Sequence, residues 1–165
     1  MSGNLVITNR QRTIPINTRL LRTITKALLA DLFQLNQFEL GITIVRAPEM
    51  ARINETFLQH QGSTDVITFN YFENSKLETR NSKSSLHGEI FICIDDALAQ
   101  ARQFRVSWQS ELTRYLIHGG LHLRGFDDIR PADRRKMKRE ENRLLKELAH
   151  LFPLSKLGGS PRLAA

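Results

Sequence analysis

Cysteine is nearly absent, with Cys93 standing alone in 165 residues, so no internal disulfide can form and a disulfide-stapled secreted scaffold is excluded. Cys93 sits in the apolar run Ile90-Phe91-Ile92-Cys93-Ile94, where the expected role is that of a small buried hydrophobe. No apolar run approaches the roughly 20 residues that cross a bilayer, and no membrane association is expected. The first residues lack the basic stretch, apolar segment and small-residue cleavage site of a secretory signal, so a cytoplasmic location is expected. Glycine and proline, at nine and five residues, are too sparse for a collagen-like or low-complexity chain. What remains, 41% hydrophobic and 25% charged residues, can build one core without disulfide or metal staples.

Charge is the first pointer to a partner. The chain carries 24 Lys and Arg against 17 Asp and Glu, a formal net charge of +7, which favours polyanions. The surplus is concentrated between Arg124 and Lys146, where nine basic residues face five acidic ones.

The apolar pattern reads as about four strands and about five helices, alternating irregularly, in a single domain over residues 1–152. Residues 5–8, 38–45, 66–69 and 89–94 read as strands. Leu21, Ile24, Leu28, Leu32 and Leu35 recur at helical spacing and predict an amphipathic helix over about 17–36 that packs on the sheet. Pro48 suits a first helical position, and Met50, Ile53 and Phe57 form the expected buried stripe of a short helix running toward His60. Asp95 and Asp96 place negative charge where a helix through Ala97, Leu98, Ala101 and Phe104 should begin. Ser107 caps a helix from Trp108 to about Leu123, and Pro131 opens a last helix. Met137, Leu144, Leu148 and Leu151 point one way on that helix, with Arg135, Arg139, Arg143 and Lys146 nearly opposite. Residues 73–85 read as a polar loop, and residues 153–165 as a flexible tail too poor in apolar content to fold alone.

The chemistry concentrates in His118-Gly119-Gly120-Leu121-His122-Leu123-Arg124-Gly125-Phe126-Asp127-Asp128. His118 and His122 project from one helix face one turn apart, as two imidazoles must to grip one metal ion. Adjacent glycines inside an apolar helix cost about 0.8–1.0 kcal/mol each relative to alanine. A closely approaching backbone, a substrate or a tightly packed neighbour is therefore expected beside them. Gly125 is placed to end the helix in the left-handed conformation and turn the chain back. The turn brings Asp128 within reach of the same metal, giving two neutral nitrogens, one oxygen and an open coordination position, as in catalytic zinc sites. The layout is similar to that of zinc peptidases with H-E-x-x-H-x-x-G-x-x-H. Their glutamate general base is here Gly119, which argues against peptide hydrolysis.

The motif resembles more closely that of the YbeY-type bacterial rRNA maturation factors, H-G-x-L-H-L-x-G-x-D-H. The resemblance extends to Asn54, to Thr64-Asp65-Val66-Ile67-Thr68-Phe69 beside the family's T-D-V-L-S-F, and to Gly88-Glu89-Ile90 beside its G-D-I, with order and spacing agreeing over about residues 38–130. It implies an α+β fold, a small mixed β-sheet of about four strands flanked by about five helices, one zinc ion at His118, His122 and Asp128, and endonucleolytic cleavage of RNA. The implied biological role is maturation of the 3′ end of 16S rRNA in ribosome biogenesis, with the rRNA precursor and the ribosome as partners. Asp128 stands where the family has a third histidine; a carboxylate ligand weakens the Lewis acid and lets manganese compete. Asp127, matching the family's aspartate, is expected to cap the turn or orient a ligand. Leu58, after Phe57, stands where family members often carry an arginine thought to help bind or activate RNA, and Arg124 is the expected replacement phosphate contact.

On this reading the metal neutralises charge on the scissile phosphate and polarises a water. Arg124 with Arg135, Arg139, Arg143 and Lys146 holds single-stranded RNA by charge, so binding should depend steeply on salt. His60 and His150 are expected to complement helix dipoles, His87 to lie outside the cleft, and Glu111 to stabilise the start of its helix. The competing expectation is an RNA-binding ribosome-assembly factor that works through the basic helix, its metal structural or absent.

Overall fold

The computed structural model describes residues 2–72 and 84–159. The order is β1 (Ser2–Asn9), α1 (Thr18–Lys26), β2 (Gln37–Val45), α2 (Ala47–Leu58), β3 (Val66–Asn70), β4 (Ser85–Cys93), α3 (Ile94–Phe104), α4 (Trp108–Leu123) and α5 (Pro131–Leu151). The strands form one mixed sheet in the order β1-β2-β4-β3; β1 and β4 run parallel to β2, and β3 antiparallel to β4. This is the expected α+β architecture. The proposed loop over 73–85 falls mostly on residues outside the described ones, and Ser85 opens β4.

Alternation along the strands decides which face is buried. Leu40, Ile42 and Ile44 of β2 and Leu86, Ile90 and Ile92 of β4 point to one face, where they join Leu21 and Ile24 of α1, Leu112 and Leu116 of α4, and Met137, Leu144 and Leu148 of α5 in one core. Val45, Ile67 and Cys93 point to the other face and pack on Met50 of α2. Cys93 is fully buried, as its setting predicts.

Phe57, expected in a buried stripe, is instead 65% exposed, and Phe104 of the next helix is likewise 61% exposed. Each lies in the last turn of its helix. Beyond each, a left-handed residue, Gln59 or Arg105, turns the chain, and the aromatic at the helix end overhangs rather than enters the core. Leu151, at the end of α5, is exposed for the same positional reason. The first helix is also shorter than its apolar period implies: Asn17 caps it through Leu20 N–H, but the segment 27–32 widens into a π-helical turn.

The described part of the expected tail, residues 153–159, is docked on the fold, and residues 160–165 lie outside the described residues. Residues 154–157 form a 3-10 turn, Leu157 is fully buried in the main core, Trp108 Nε1 donates to the Gly159 carbonyl at 3.0 Å, and Gln109 Nε2 donates to the Gly158 carbonyl at 2.6 Å. A segment too polar to build its own core needs only one leucine to join an existing one, and its carbonyls are satisfied by α4. The described folded unit therefore runs to Gly159.

The paired glycines of α4 are explained by packing. A Cβ on Gly119 would lie 2.8 Å from Ile90 Cγ2, and one on Gly120 would lie 3.0 Å from Phe33 Cε2. Gly119 lets the histidine-bearing turn sit close on β4, and Gly120 lets it sit close on Phe33 after the π turn. Overpacking costs about 1–3 kcal/mol, against roughly 0.8–1.0 kcal/mol gained in helix propensity. Gly119→Ala should therefore lower the denaturation free energy by about 1 kcal/mol, and a stabilised variant would refute this packing account.

Candidate metal centre

The site is built at the C-terminal end of α4. Ser107 caps the other end by accepting from Ser110 N–H, which fixes the phase of the helix and sends His118 and His122 to one side. Gly125, at φ +93°, turns the chain, and Gly125 and Phe126 donate their N–H groups back to the carbonyls of His122 and Leu121. Asp127 Oδ1 accepts from Asp128 N–H at 2.7 Å and Ile129 N–H at 3.1 Å, so Asp127 caps the turn and Asp128 is the residue that returns to the helix.

The Nε2 atoms of His118 and His122 lie 3.1 Å apart, and Asp128 Oδ2 lies 3.6 Å from each. The other ring nitrogens are engaged: His118 Nδ1 donates to Glu141 Oε2 at 2.8 Å and His122 Nδ1 donates to the Phe126 carbonyl at 3.1 Å. A carboxylate and a carbonyl can only accept, so both neutral imidazoles carry their proton on Nδ1 and turn a lone pair inward from Nε2. Two lone pairs and a carboxylate oxygen then face one another, an arrangement that calls for a cation. Tetrahedral zinc with bonds of about 2.0–2.1 Å has ligand–ligand edges of about 3.3–3.4 Å, and the observed triangle brackets that length. Among the described residues these three are the one set of His, Cys, Asp and Glu side chains so clustered. His118, His122 and Asp128 are 22, 27 and 41% exposed, so the centre opens to solvent.

Glu141 supplies what the sequence reading missed. It lies on α5, 5% exposed, and its second oxygen accepts from Arg114 NH1 at 3.0 Å. Arg114 also approaches Glu111 at 3.6 Å, so a buried chain of charges runs from α4 to α5 and ends on the imidazole. Burial works against the charged Glu141 carboxylate, but the hydrogen bonds from His118 and Arg114 outweigh it and hold the carboxyl below its ordinary value. Burial likewise opposes the charged form of His118, but the hydrogen bond and charge of Glu141 prevail and raise it. The signal was available: Glu141 falls between Met137 and Leu144 on the apolar stripe of α5, and a carboxylate on a buried stripe requires a partner.

A cleft of about 380 Å³ extends from the centre along α4, with His118 and Asp128 at one end and Phe104 and Val106 at the other. Arg134 and Lys138 of α5 line it, whereas Arg135, Arg139, Arg143 and Lys146 do not. Those four are exposed on the far side of α5, and Arg143 is tied to Glu140 and Glu147. Arg124 lies at the C-cap of α4 with its guanidinium 4.7 Å from the centre of the Phe33 ring, on the side of Gly120 rather than of the imidazoles. Leu58, at the end of α2, is exposed and outside the cleft lining. Glu111 does sit in the first turn of α4, but it also lines the cleft. The neighbouring Tyr115 hydroxyl is buried without a partner among the described residues, and burial pushes its pKa up. His87 lies on the sheet face opposite Ile90, against the Tyr71 and Phe72 rings and 3.6 Å from Glu39; His60 and His150 are exposed at helix ends.

The family model described as Endoribonuclease YbeY matches residues 6–149. The chain belongs to the YbeY family. The Endoribonuclease YbeY of Chlorobaculum parvum is 39% identical over 128 residues, 73% of this chain and 84% of that one. The protein of the same name from an Anaeromyxobacter species is 35% identical over 146 residues, covering 88% and 72%. That from Chlorobium luteolum is 40% identical over 97 residues, covering 59% and 64%. A solution structure of a Thermotoga maritima protein shares the fold, with a TM-score of 0.61 over 89% of this chain and 90% of that one at 22% identity. No helix among the described residues is long and apolar enough to cross a membrane.

Proposed function

We propose that this YbeY-family chain is a metal-dependent endoribonuclease that cuts single-stranded RNA, acting in the cytoplasm on the 3′ end of the 16S rRNA precursor during ribosome biogenesis. The observation that carries the reading is the pair of Nε2 lone pairs converging with Asp128 at the end of an open cleft. The name shared by the relatives supports the reaction class. Zinc is the metal the donor set fits best, with manganese favoured more than at an all-histidine site because Asp128 contributes a hard oxygen.

His118, His122 and Asp128 are the residues that would hold the ion. When bound, a dication supplies positive charge and Lewis acidity at the phosphate. The chain's own residues do the rest. Glu141 and the Phe126 carbonyl hold the two imidazoles in the tautomer that keeps Nε2 free, so the ligands need no rearrangement. Arg134 and Lys138 place positive charge along the cleft, where they offset the phosphates of a bound strand. An unpaired strand with its bases splayed out is the form in which proteins usually read RNA.

Elemental analysis tests the metal directly. Protein purified without chelator or a histidine tag should carry close to one equivalent of zinc per chain, and chelation should remove RNA cleavage until zinc or manganese is returned. Metal-free protein that gains no cleavage on metal addition would favour the assembly-factor alternative.

A further inference from the structure

We infer that Phe104 and Gln100 form a nucleobase subsite in the same cleft, holding a base of the single strand a few nucleotides from the scissile phosphate; this rests on the endoribonuclease reading and names where its substrate lies. Phe104 is a large aromatic left 61% exposed at the end of α3. It lines the cleft together with Gln100, one turn earlier on the same helix, and with the apolar Val106. An aromatic face and a side-chain amide four residues apart project together. The first stacks a base of any kind, and the second carries both a donor and an acceptor for its edge.

Position supports the assignment. Val106 immediately precedes the cap of α4, and His118 lies eleven residues after Ser107 on that helix, so the two ends of the cleft are separated by roughly 16 Å. That length suits a few nucleotides of unpaired strand. Lys138 and Arg134 line the cleft from the α5 side, Arg134 at the metal end where it donates to the Ile129 carbonyl at 3.2 Å, so both offer charge to the phosphates of the strand. Of the four acidic side chains lining the cleft, Glu111 and Glu141 share Arg114, Asp128 faces the imidazoles, and Asp65 accepts from Thr64 Oγ1 and Val66 N–H.

The test compares full-length, metal-loaded wild type with Phe104→Leu, Phe104→Trp and Lys138→Gln on a short single-stranded RNA, measuring cleavage kinetics and, by fluorescence anisotropy, binding. Phe104 is exposed, so the substitutions leave the fold intact. Phe104→Leu should weaken binding about 5- to 100-fold, appearing in KM rather than kcat, with an unchanged salt slope. Phe104→Trp should restore binding. Lys138→Gln should instead lower the salt slope by about one. An abasic nucleotide at the position held by Phe104 should reproduce the loss in wild type and add nothing in Phe104→Leu. If wild type cleaves RNA but Phe104→Leu binds and cleaves equally well, the subsite is wrong and the nuclease reading stands. If wild type cleaves nothing, the nuclease reading fails, and binding alone decides the subsite: a Phe104-dependent affinity supports it and an unchanged affinity overturns it.

Discussion

His122→Ala is expected to abolish RNA cleavage, lowering kcat/KM by about 10³-fold or more, and to leave purified protein with little zinc while its fold persists. The size follows from the several kcal/mol that a dication contributes to a phosphoryl transition state. The persistence of the fold follows from the surroundings of His122. Its side chain is 27% exposed, and its Nδ1 is bonded to the Phe126 carbonyl on an outer turn that water can reach. Losing that bond costs about 1 kcal/mol, well within the usual stability of a domain. His118→Ala is the less clean experiment, because it also strips a partner from the buried Glu141 carboxylate and so mixes metal loss with destabilisation. Zinc content, thermal midpoint and cleavage of a single-stranded RNA should be read on the same preparations. Cleavage by His122→Ala within a few-fold of wild type would remove the metal centre from the mechanism.

The parts of the fold and site that were legible in the sequence are those fixed by local periodicity or by short spacing. The apolar runs of β2 and β4 and the helical stripes of α1, α4 and α5 depend on neighbours two to four residues away, and they revealed these elements, although β4 begins at Ser85 rather than at Glu89 and α1 gives way to the π turn after Lys26. His118, His122, Gly125 and Asp128 lie within one helical turn and its cap, so their convergence could be read from spacing. What failed was set by distant packing. Phe57 and Phe104 fit the apolar stripes of their helices, but where a helix stops relative to the core edge is decided by the sheet beneath it. The docking of Leu157 depends on a gap beside α1 and α4 that no local pattern encodes. The basic face of α5 was seen correctly as a face, but the sequence cannot say which flank of that helix borders the cleft. The cations there are Arg134 and Lys138, on the boundary between the apolar stripe and the solvent side.

Glu141→Leu should separate holding the metal from holding the fold. The carboxylate fixes the His118 tautomer and pairs with Arg114, so removing it leaves Nδ1 of His118 without its acceptor and Arg114 with only its weaker contact to Glu111 and its bond to Asn142. Partners of this kind typically account for 10- to 100-fold in metal affinity. The stranded buried groups cost about 1–3 kcal/mol more, offset in part by the better burial of leucine. Glu141→Gln keeps an oxygen that can accept from Nδ1 but loses the charge. It should therefore retain most of the stability while zinc affinity falls by the lower part of that range. Competition against a zinc-binding dye gives the affinities, and denaturation of the metal-free proteins gives the stabilities. If both variants hold zinc as tightly as wild type, Glu141 serves only to satisfy Arg114, and the imidazole needs no carboxylate behind it to present its lone pair.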